Sequence, residues 1–185
     1  QRLARFTKNA TRNWHNLGFP HVLMRHYHVE IVCTTDDPVD SLEYHIAAKA
    51  SGFEIRMLPT WRPDKAMAVE SPSSFRDYVG RLEQVSGQTI SGFDDFIGAL
   101  EHRHDFFAAQ GCRLSDHGLS GFYAEDYTED DIRRIYNKVY GGTPLDGAEC
   151  ARFKSAMLVE FAGWMPKRDG HNNSITGRYA MPTVG

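Results

Sequence analysis

Three short segments of the sequence carry carboxylates, and two of them add a guanidinium or an imidazole within a few positions. They are TTDDP at 34–38, PTWRPDK at 59–65 and SDHGL at 115–119. A guanidinium can bind a carboxylate through two parallel hydrogen bonds, and a histidine can transfer protons near neutral pH. Together these residue types predict a site that binds an anion beside a group able to move protons.

Each segment also has a purely structural interpretation. Asp37 precedes a proline in the position of a helix N-cap, which leaves Asp36 available to a site. Arg62 and Asp64 could instead pair with neighbouring loops, as structural ion clusters often do. An isolated histidine is more often packed or exposed than functional. A functional role for His117 is therefore supported only by its polar neighbours.

A second pair of histidines, His102 and His104, resembles a metal-binding pair in its spacing. It falls within a helical pattern, where residues two apart point to different sides. We therefore predict a solvated helix face there and no metal site. The sequence also contains no GxGxxG, P-loop, GxSxG, HExxH or EF-hand motif.

Strands and helices alternate along the chain and must position the three polar segments. Strands are predicted at 29–33, 53–58 and 112–115, and each leads into one of the segments. Helices are predicted at 38–50, 74–85, 90–109, 128–140 and 146–164, and helical periodicity also covers 1–28. Strands joined by long crossovers are parallel, and ligands gather at their C-terminal ends. The three segments are therefore expected to meet at one end of a sheet.

Composition and charge exclude several classes of protein. Hydrophobic residues make up 41% of the chain and charged residues 24%, as in ordinary globular proteins. The formal charge of -3 gives no reason to expect nucleic acid or a membrane surface as partner, and no apolar run is long enough to span a bilayer. Three widely spaced cysteines without a CxxC pair indicate a reducing, cytoplasmic location.

Longer stretches of sequence around the same three segments resemble one enzyme family. VCTTDDPVDSLEYH, LPTWRPDKA and GCRLSDHGL, in that order, are similar to uronate isomerase, also called glucuronate isomerase, of the amidohydrolase-like barrel group. RFKSAMLVEF at 152–161 is similar to a later helix of that family. The resemblance runs from about Phe19 to Trp164. It implies an intramolecular oxidoreductase of hexuronate catabolism that converts D-glucuronate to D-fructuronate and D-galacturonate to D-tagaturonate.

The resemblance also implies roles for individual residues. Arg62 would contact the carboxylate of the hexuronate, which agrees with the guanidinium chemistry noted above. Asp116 and His117 are expected near the reacting carbons, as catalytic or proton-relay groups. The remaining substrate-binding candidates lie in the loops after the first two strands and are Trp61, Asp64, Lys65, Asp36 and Asp37.

The implied fold is a (β/α)8 barrel of the TIM type, an α/β fold with parallel strands and additional helices. A closed barrel needs at least about 200 residues, so three strand signals in 185 residues predict only part of a barrel. We expect an N-terminal helical segment at 1–28, a barrel portion at 29–165 and an irregular tail at 166–185.

Members of this family hold a divalent metal, commonly zinc, through an HxH pair at the first strand and an aspartate at the last. Neither feature is found in this sequence, so no metal ligand is predicted here and the chain alone is expected to lack turnover. The expected partner is a small-molecule hexuronate, and a homo-oligomer is compatible with the sequence. Two alternatives are a non-catalytic α/β module that keeps a carboxylate-binding loop and a metal-dependent hydrolase of the same barrel group.

Overall fold

The computed structural model describes residues 19–164 of the 185-residue chain. The predicted helix before residue 19 and the predicted tail lie outside these residues. In chain order the elements are α1 (Phe19–His26), β1 (Ile31–Cys33), α2 (Glu43–Ala50), β2 (Arg56–Leu58), a 3-10 helix (Asp64–Met67), α3 (Pro72–Ser86), α4 (Phe93–Ala109), α5 (Glu129–Tyr140) and α6 (Gly147–Trp164). None of the helices in this part of the chain has the length and apolar character needed to cross a membrane.

The strands β1 and β2 pair in parallel, and α2 is the crossover between them. Cys33 lies opposite Leu58, and pairing begins where the amide of Arg56 donates to the carbonyl of Glu30 at 3.0 Å. Both predicted strands are therefore confirmed, but each is only three residues long. Strands this short place their C-terminal loops close to the crossover helix that joins them.

The parallel register continues past the strand ends as isolated bridges. Asp36 bridges to Trp61, and Trp61 bridges to Ser115. The prediction of a strand at 112–115 is wrong in extent, because only its last residue forms a bridge. The reason is local: the C-terminal turn of α4 extends to Cys112, whose amide donates to the carbonyl of Phe107 at 3.0 Å. Even so, the bridges bring the three polar segments side by side.

The helix predicted from residue 38 begins only at Glu43. Asp37 does act as a cap, but of a turn: its side chain accepts the amide two residues on at 3.1 Å, and its carbonyl accepts the amide of Asp40 at 2.8 Å. Leu42 then adopts a left-handed backbone with φ 56° directly before the helix. Pro38 therefore lies in a closed turn and is not the first residue of a helix.

The four long helices α3–α6 follow the sequence prediction, with boundaries that differ by three residues at most. Their apolar faces enclose the main core, together with the 3-10 helix. Rings of Phe75, Phe96, Tyr136 and Phe153 contact one another in tilted or edge-to-face geometry. This helical layer is the rigid support behind the loops that follow the strands.

A smaller core joins the loops to α4 and consists of Leu42, Trp61, Phe107 and Cys112. His104 packs edge-on against Trp61, with ring centroids 5.2 Å apart. The prediction of a solvated helix face is therefore wrong for His104, although His102 is exposed. Burial also lowers the pKa of His104 below its usual value.

Candidate functional site

Arg62 and Asp116 form a two-pronged ion pair across neighbouring loops. Nε of Arg62 donates to Oδ1 at 3.0 Å, and Nη2 donates to Oδ2 at 2.5 Å. These hydrogen bonds raise the pKa of Arg62 above its usual value. Its side chain keeps 38% of its surface exposed, and Nη1 has no partner within residues 19–164. The pair therefore presents an open guanidinium edge to solvent.

Asp64 holds the second pair between the same two loops. Its Oδ1 lies 3.0 Å from Nδ1 of His117, and its Oδ2 accepts the amide of Gly118 at 2.6 Å. Glycine suits this position because an added Cβ would lie 3.2 Å from that oxygen. On the far side of the ring, Nε2 of His117 lies 3.1 Å from Oγ of Ser115. The result is a hydrogen-bonded chain from carboxylate to imidazole to hydroxyl.

The partners of His117 determine its tautomer. An ionised carboxylate only accepts hydrogen bonds, so Nδ1 must carry the proton that faces Asp64. In the neutral imidazole, Nε2 then carries a lone pair and accepts a hydrogen bond from the hydroxyl of Ser115. The ring stacks on Phe161 at 6.2 Å between centroids and 13° between planes. His117 is thus held in the form of a proton acceptor, with 24% of its side chain exposed.

Lys65 and Asp37 form a third pair, with Nζ 3.3 Å from Oδ2. The lysine is 63% exposed, whereas the aspartate is 9% exposed and already caps its turn. Of these two substrate-binding candidates, only Lys65 has a free surface to offer a ligand.

The side chain of Asp36 is turned toward α2 and is 12% exposed. Its Oδ2 accepts the hydroxyl of Thr34 at 2.6 Å and the amide of Thr60 at 3.3 Å. The same hydroxyl lies 2.7 Å from Nε2 of His45 on α2. The hydrogen bonds of Asp36 thus run into the protein, and its predicted contact with substrate stays a prediction.

Trp61 also lies on the buried side. It is 2% exposed, and its ring packs 5.0 Å from that of Phe107. Residues paired across a parallel sheet point to the same face, and successive residues alternate. Asp36, Trp61 and Ser115 share one face in this way, while Arg62 and Asp116 share the other. Trp61 therefore packs in the interior of this structure, and its predicted contact with substrate stays a prediction.

The loops at 59–65 and 115–119 are thus cross-linked twice, by Arg62 with Asp116 and by Asp64 with His117. Each loop supplies one acid and one base. The charge of Asp64 adds to the effect of Asp116 in raising the pKa of Arg62, so the two pairs adjoin. Sequence reasoning missed Ser115 and His45, since neither residue type nor spacing marks them; only their buried hydrogen bonds do.

A metal ion finds no complete set of ligands in the part of the chain that the structure describes. No three His, Cys, Asp or Glu side chains lie together there in a way that would hold one. The described side chains therefore offer binding, orientation and proton transfer.

A cavity of about 520 Å³ opens at the opposite, N-terminal end of the strands. Its walls mix both signs of charge, and Arg25 and Glu54 pair across it. Since Arg25 is neutralised in this way, the cavity has no excess of either charge that would select an anion or a cation. The loops that follow the strands remain the stronger candidate site.

Comparison with known protein families shows which family the chain belongs to. The family model described as glucuronate isomerase matches residues 8–174, which is most of the sequence. The chain belongs to the glucuronate isomerase family. Uronate isomerase of Bacteroides thetaiotaomicron is 70% identical over 139 residues, which cover 75% of this chain and 30% of that protein. Uronate isomerase of Phocaeicola vulgatus is 68% identical over 139 residues, with the same coverage.

Solved structures of the glucuronate isomerase family resemble this chain as well. Uronate isomerase from Thermotoga maritima superposes with a TM-score of 0.73 at 38% identity, covering 78% of this chain and 32% of that one. Glucuronate isomerase from Caulobacter crescentus gives a TM-score of 0.71 at 26% identity, covering 80% and 31%. The chain thus has the α/β fold of these enzymes, with a small parallel sheet and several helices, and spans about a third of their length.

Proposed function

We propose that this chain is part of a uronate isomerase and that Arg62 binds the carboxylate of a hexuronate. The observation that carries the proposal is the half-exposed guanidinium of Arg62, which Asp116 fixes by two prongs while Nη1 stays available. Nη1 and the second proton of Nη2 form the remaining edge of this planar group, which can bind a carboxylate through two hydrogen bonds. Lys65, exposed beside it, adds a second positive charge.

The reaction would interconvert D-glucuronate with D-fructuronate, and D-galacturonate with D-tagaturonate. It moves a proton between C2 and C1 of the sugar through an enediol, so it needs a group that takes up and returns a proton. We assign that role to His117, because its hydrogen bond to Asp64 leaves Nε2 as the basic nitrogen. Asp116 is assigned to hold Arg62.

The architecture supports a place for the chain within a (β/α)8 barrel. We propose that β1, β2 and the extended residues around Ser115 are successive barrel strands, with residues 29–165 as the barrel portion. All three cysteines are free, which supports a reducing, cytoplasmic location. The divalent metal of the family would draw its ligands from outside residues 19–164.

Titration calorimetry with glucuronate tests the proposal, with glucose as the analogue that lacks a carboxylate. We expect glucuronate to bind more tightly than glucose and Arg62→Lys to weaken glucuronate binding by about tenfold, since lysine cannot give two parallel hydrogen bonds. Arg134→Lys is the matched control, because Arg134 is also ion-paired, to Asp131 at 2.8 Å, but on the surface of α5. Equal binding of both sugars, or unchanged binding in Arg62→Lys, would refute the proposal.

A further inference from the structure

We infer that His45 is a positioning residue for Arg62, acting through Thr34 and Asp36. The inference rests on the proposed role of Arg62 and adds to it a reason for the orientation of that arginine. His45 lies on α2, is 7% exposed and belongs to none of the three polar segments.

The three side chains form a compact hydrogen-bonded cluster at the end of β1. Oγ1 of Thr34 lies 2.6 Å from Oδ2 of Asp36 and 2.7 Å from Nε2 of His45. The imidazole and the carboxylate themselves are 3.7 Å apart. The hydroxyl therefore stands between them and links the helix to the loop after the strand.

The direction of each hydrogen bond follows from the available protons. A hydroxyl has one proton, and the carboxylate of Asp36 can only accept it. The oxygen of Thr34 must then accept from Nε2–H of His45. Nδ1 of His45 is buried and has no partner within residues 19–164. The cluster thus needs a donor at the Nε2 position and nothing at Nδ1.

The backbone carries this constraint to the site. Two hydrogen bonds join Asp36 to Thr60. The amide of Asp36 donates to the carbonyl of Thr60 at 3.1 Å, and its carboxylate accepts the amide of Thr60 at 3.3 Å. Its carbonyl accepts the amide of Arg62 at 3.0 Å. Because the guanidinium of Arg62 extends from a peptide held by Asp36, a displaced Asp36 would displace the carboxylate-binding group.

Two substitutions at His45 separate positioning from simple filling of space. The terminal nitrogen of glutamine can take the place of Nε2, whereas the shorter asparagine reaches only the Nδ1 position. We therefore expect His45→Gln to retain the cluster and His45→Asn to lose it. Thr34→Val removes the hydroxyl at constant shape, and Thr35→Val is its matched control, since Thr35 is the exposed neighbour.

Hydrogen exchange of backbone amides reports on the cluster directly. We expect His45→Asn and Thr34→Val to speed exchange at Arg62 and Thr60 by about tenfold while Ile132 on α5 stays unchanged. His45→Gln and Thr35→Val should match the parent protein at all three amides. Glucuronate affinity, measured by calorimetry, should fall about tenfold in His45→Asn and recover in His45→Gln.

The outcomes are distinct. Faster exchange at Ile132 as well would indicate a loss of global stability and overturn the positioning role. Equal effects of glutamine and asparagine at His45 would overturn it too, as would an effect of Thr35→Val as large as that of Thr34→Val. If the exchange pattern holds but the parent protein binds no glucuronate, the positioning role stands and the proposed function of Arg62 fails.

Discussion

Asp64 holds two consecutive residues with its two oxygens: the ring of His117 at 3.0 Å and the amide of Gly118 at 2.6 Å. The aspartate and the histidine are separated by 53 positions in the chain. A single carboxylate therefore sets both the path of the second loop and the protonated nitrogen of its imidazole. Asp64 therefore supports the second loop in this structure, and its predicted contact with substrate stays a prediction.

Replacing Asp64 by asparagine should release the tautomer of His117. The amide offers an oxygen or a nitrogen at similar cost, so Nδ1 would no longer be obliged to carry the proton. Nitrogen NMR of the imidazole is expected to show a protonated Nδ1 in the parent protein and mixed tautomers in Asp64→Asn. Asp77→Asn, on the exposed face of α3, is the control. A protonated Nε2 in the parent protein would contradict the assignment.

Arg103 should be a major source of stability for the turn after β1. It is 6% exposed and donates to the carbonyls of Pro38 at 2.8 Å and Asp40 at 2.7 Å, over the face of Phe106. Arg103→Met would remove the donors of both carbonyls and should lower the free energy of unfolding by about 2–4 kcal/mol. Urea unfolding measures the change, and Arg81→Met on the surface of α3 should cost far less.

The burial of His104 predicts a specific dependence of stability on pH. Its pKa in the folded chain lies below the value of 6.5 that it takes in an unfolded chain, chiefly because of burial. Below about pH 6.5 the unfolded chain therefore binds more protons, and folding weakens. His104→Phe keeps an aromatic ring beside Trp61 and should gain stability over the parent protein as pH falls from 8 to 5. Thermal unfolding measures the difference, with His102→Gln as the control on the same helix. A difference that does not change with pH would contradict this account.

Glu149 should also stabilise the fold less as pH falls, but in a more acidic range than His104. It accepts two hydrogen bonds from Lys138, at 2.9 and 2.6 Å, and the amide of Asp146 at 3.0 Å. The bonds to Lys138 and Asp146 hold its pKa below the usual 4.5, so the stabilisation is present above that pH and is lost as pH falls through the lowered value. Glu149→Gln should cost about 1 kcal/mol at pH 7 and much less at pH 3. Glu125→Gln, at an exposed position, is the control for urea unfolding at both pH values. A cost that persists at pH 3 would refute the assignment.

The chain alone should not isomerise glucuronate, even with zinc or manganese added. The part of it that the structure describes holds no group of three metal ligands, and the family enzyme depends on a metal. A coupled assay for the ketose product measures turnover. Robust turnover would show that the ligands are supplied within this chain after all.

The long helices could be predicted from the sequence because their signals are local. α3–α6 extend over 12 to 18 residues of regular periodicity, and α5 begins with a capping box between Thr128 and Asp131. The start of α2 could not be predicted in the same way. Arg103, 65 positions away from Pro38, binds the carbonyls of the preceding turn, and no local pattern records that contact.

For the site, the residue types could be predicted and most of the partners could not. A guanidinium and an imidazole beside carboxylates are visible in the sequence, and parallel strands imply that their loops meet. That Asp116 binds Arg62 follows the alternation of side chains across the bridges, whereas the bond of His117 to Asp64 depends on the 3-10 helix that begins at Asp64. The burial of Trp61 depends on packing against α4, far along the chain, and the linkage of Asp36 to His45 depends on how α2 packs beside β1.

The pairing of Arg62 with Asp116 has a consequence for selectivity. An anion that approaches Arg62 meets a charge that Asp116 already neutralises, and the carboxylate of Asp116 repels it. Acetate has no hydroxyl group that could donate a hydrogen bond to Asp116. A polyhydroxylated acid can donate a hydroxyl to Asp116 while its own negative end reaches Nη1 of Arg62. Under the proposed function, the ion pair would therefore favour sugar acids over simple carboxylic acids.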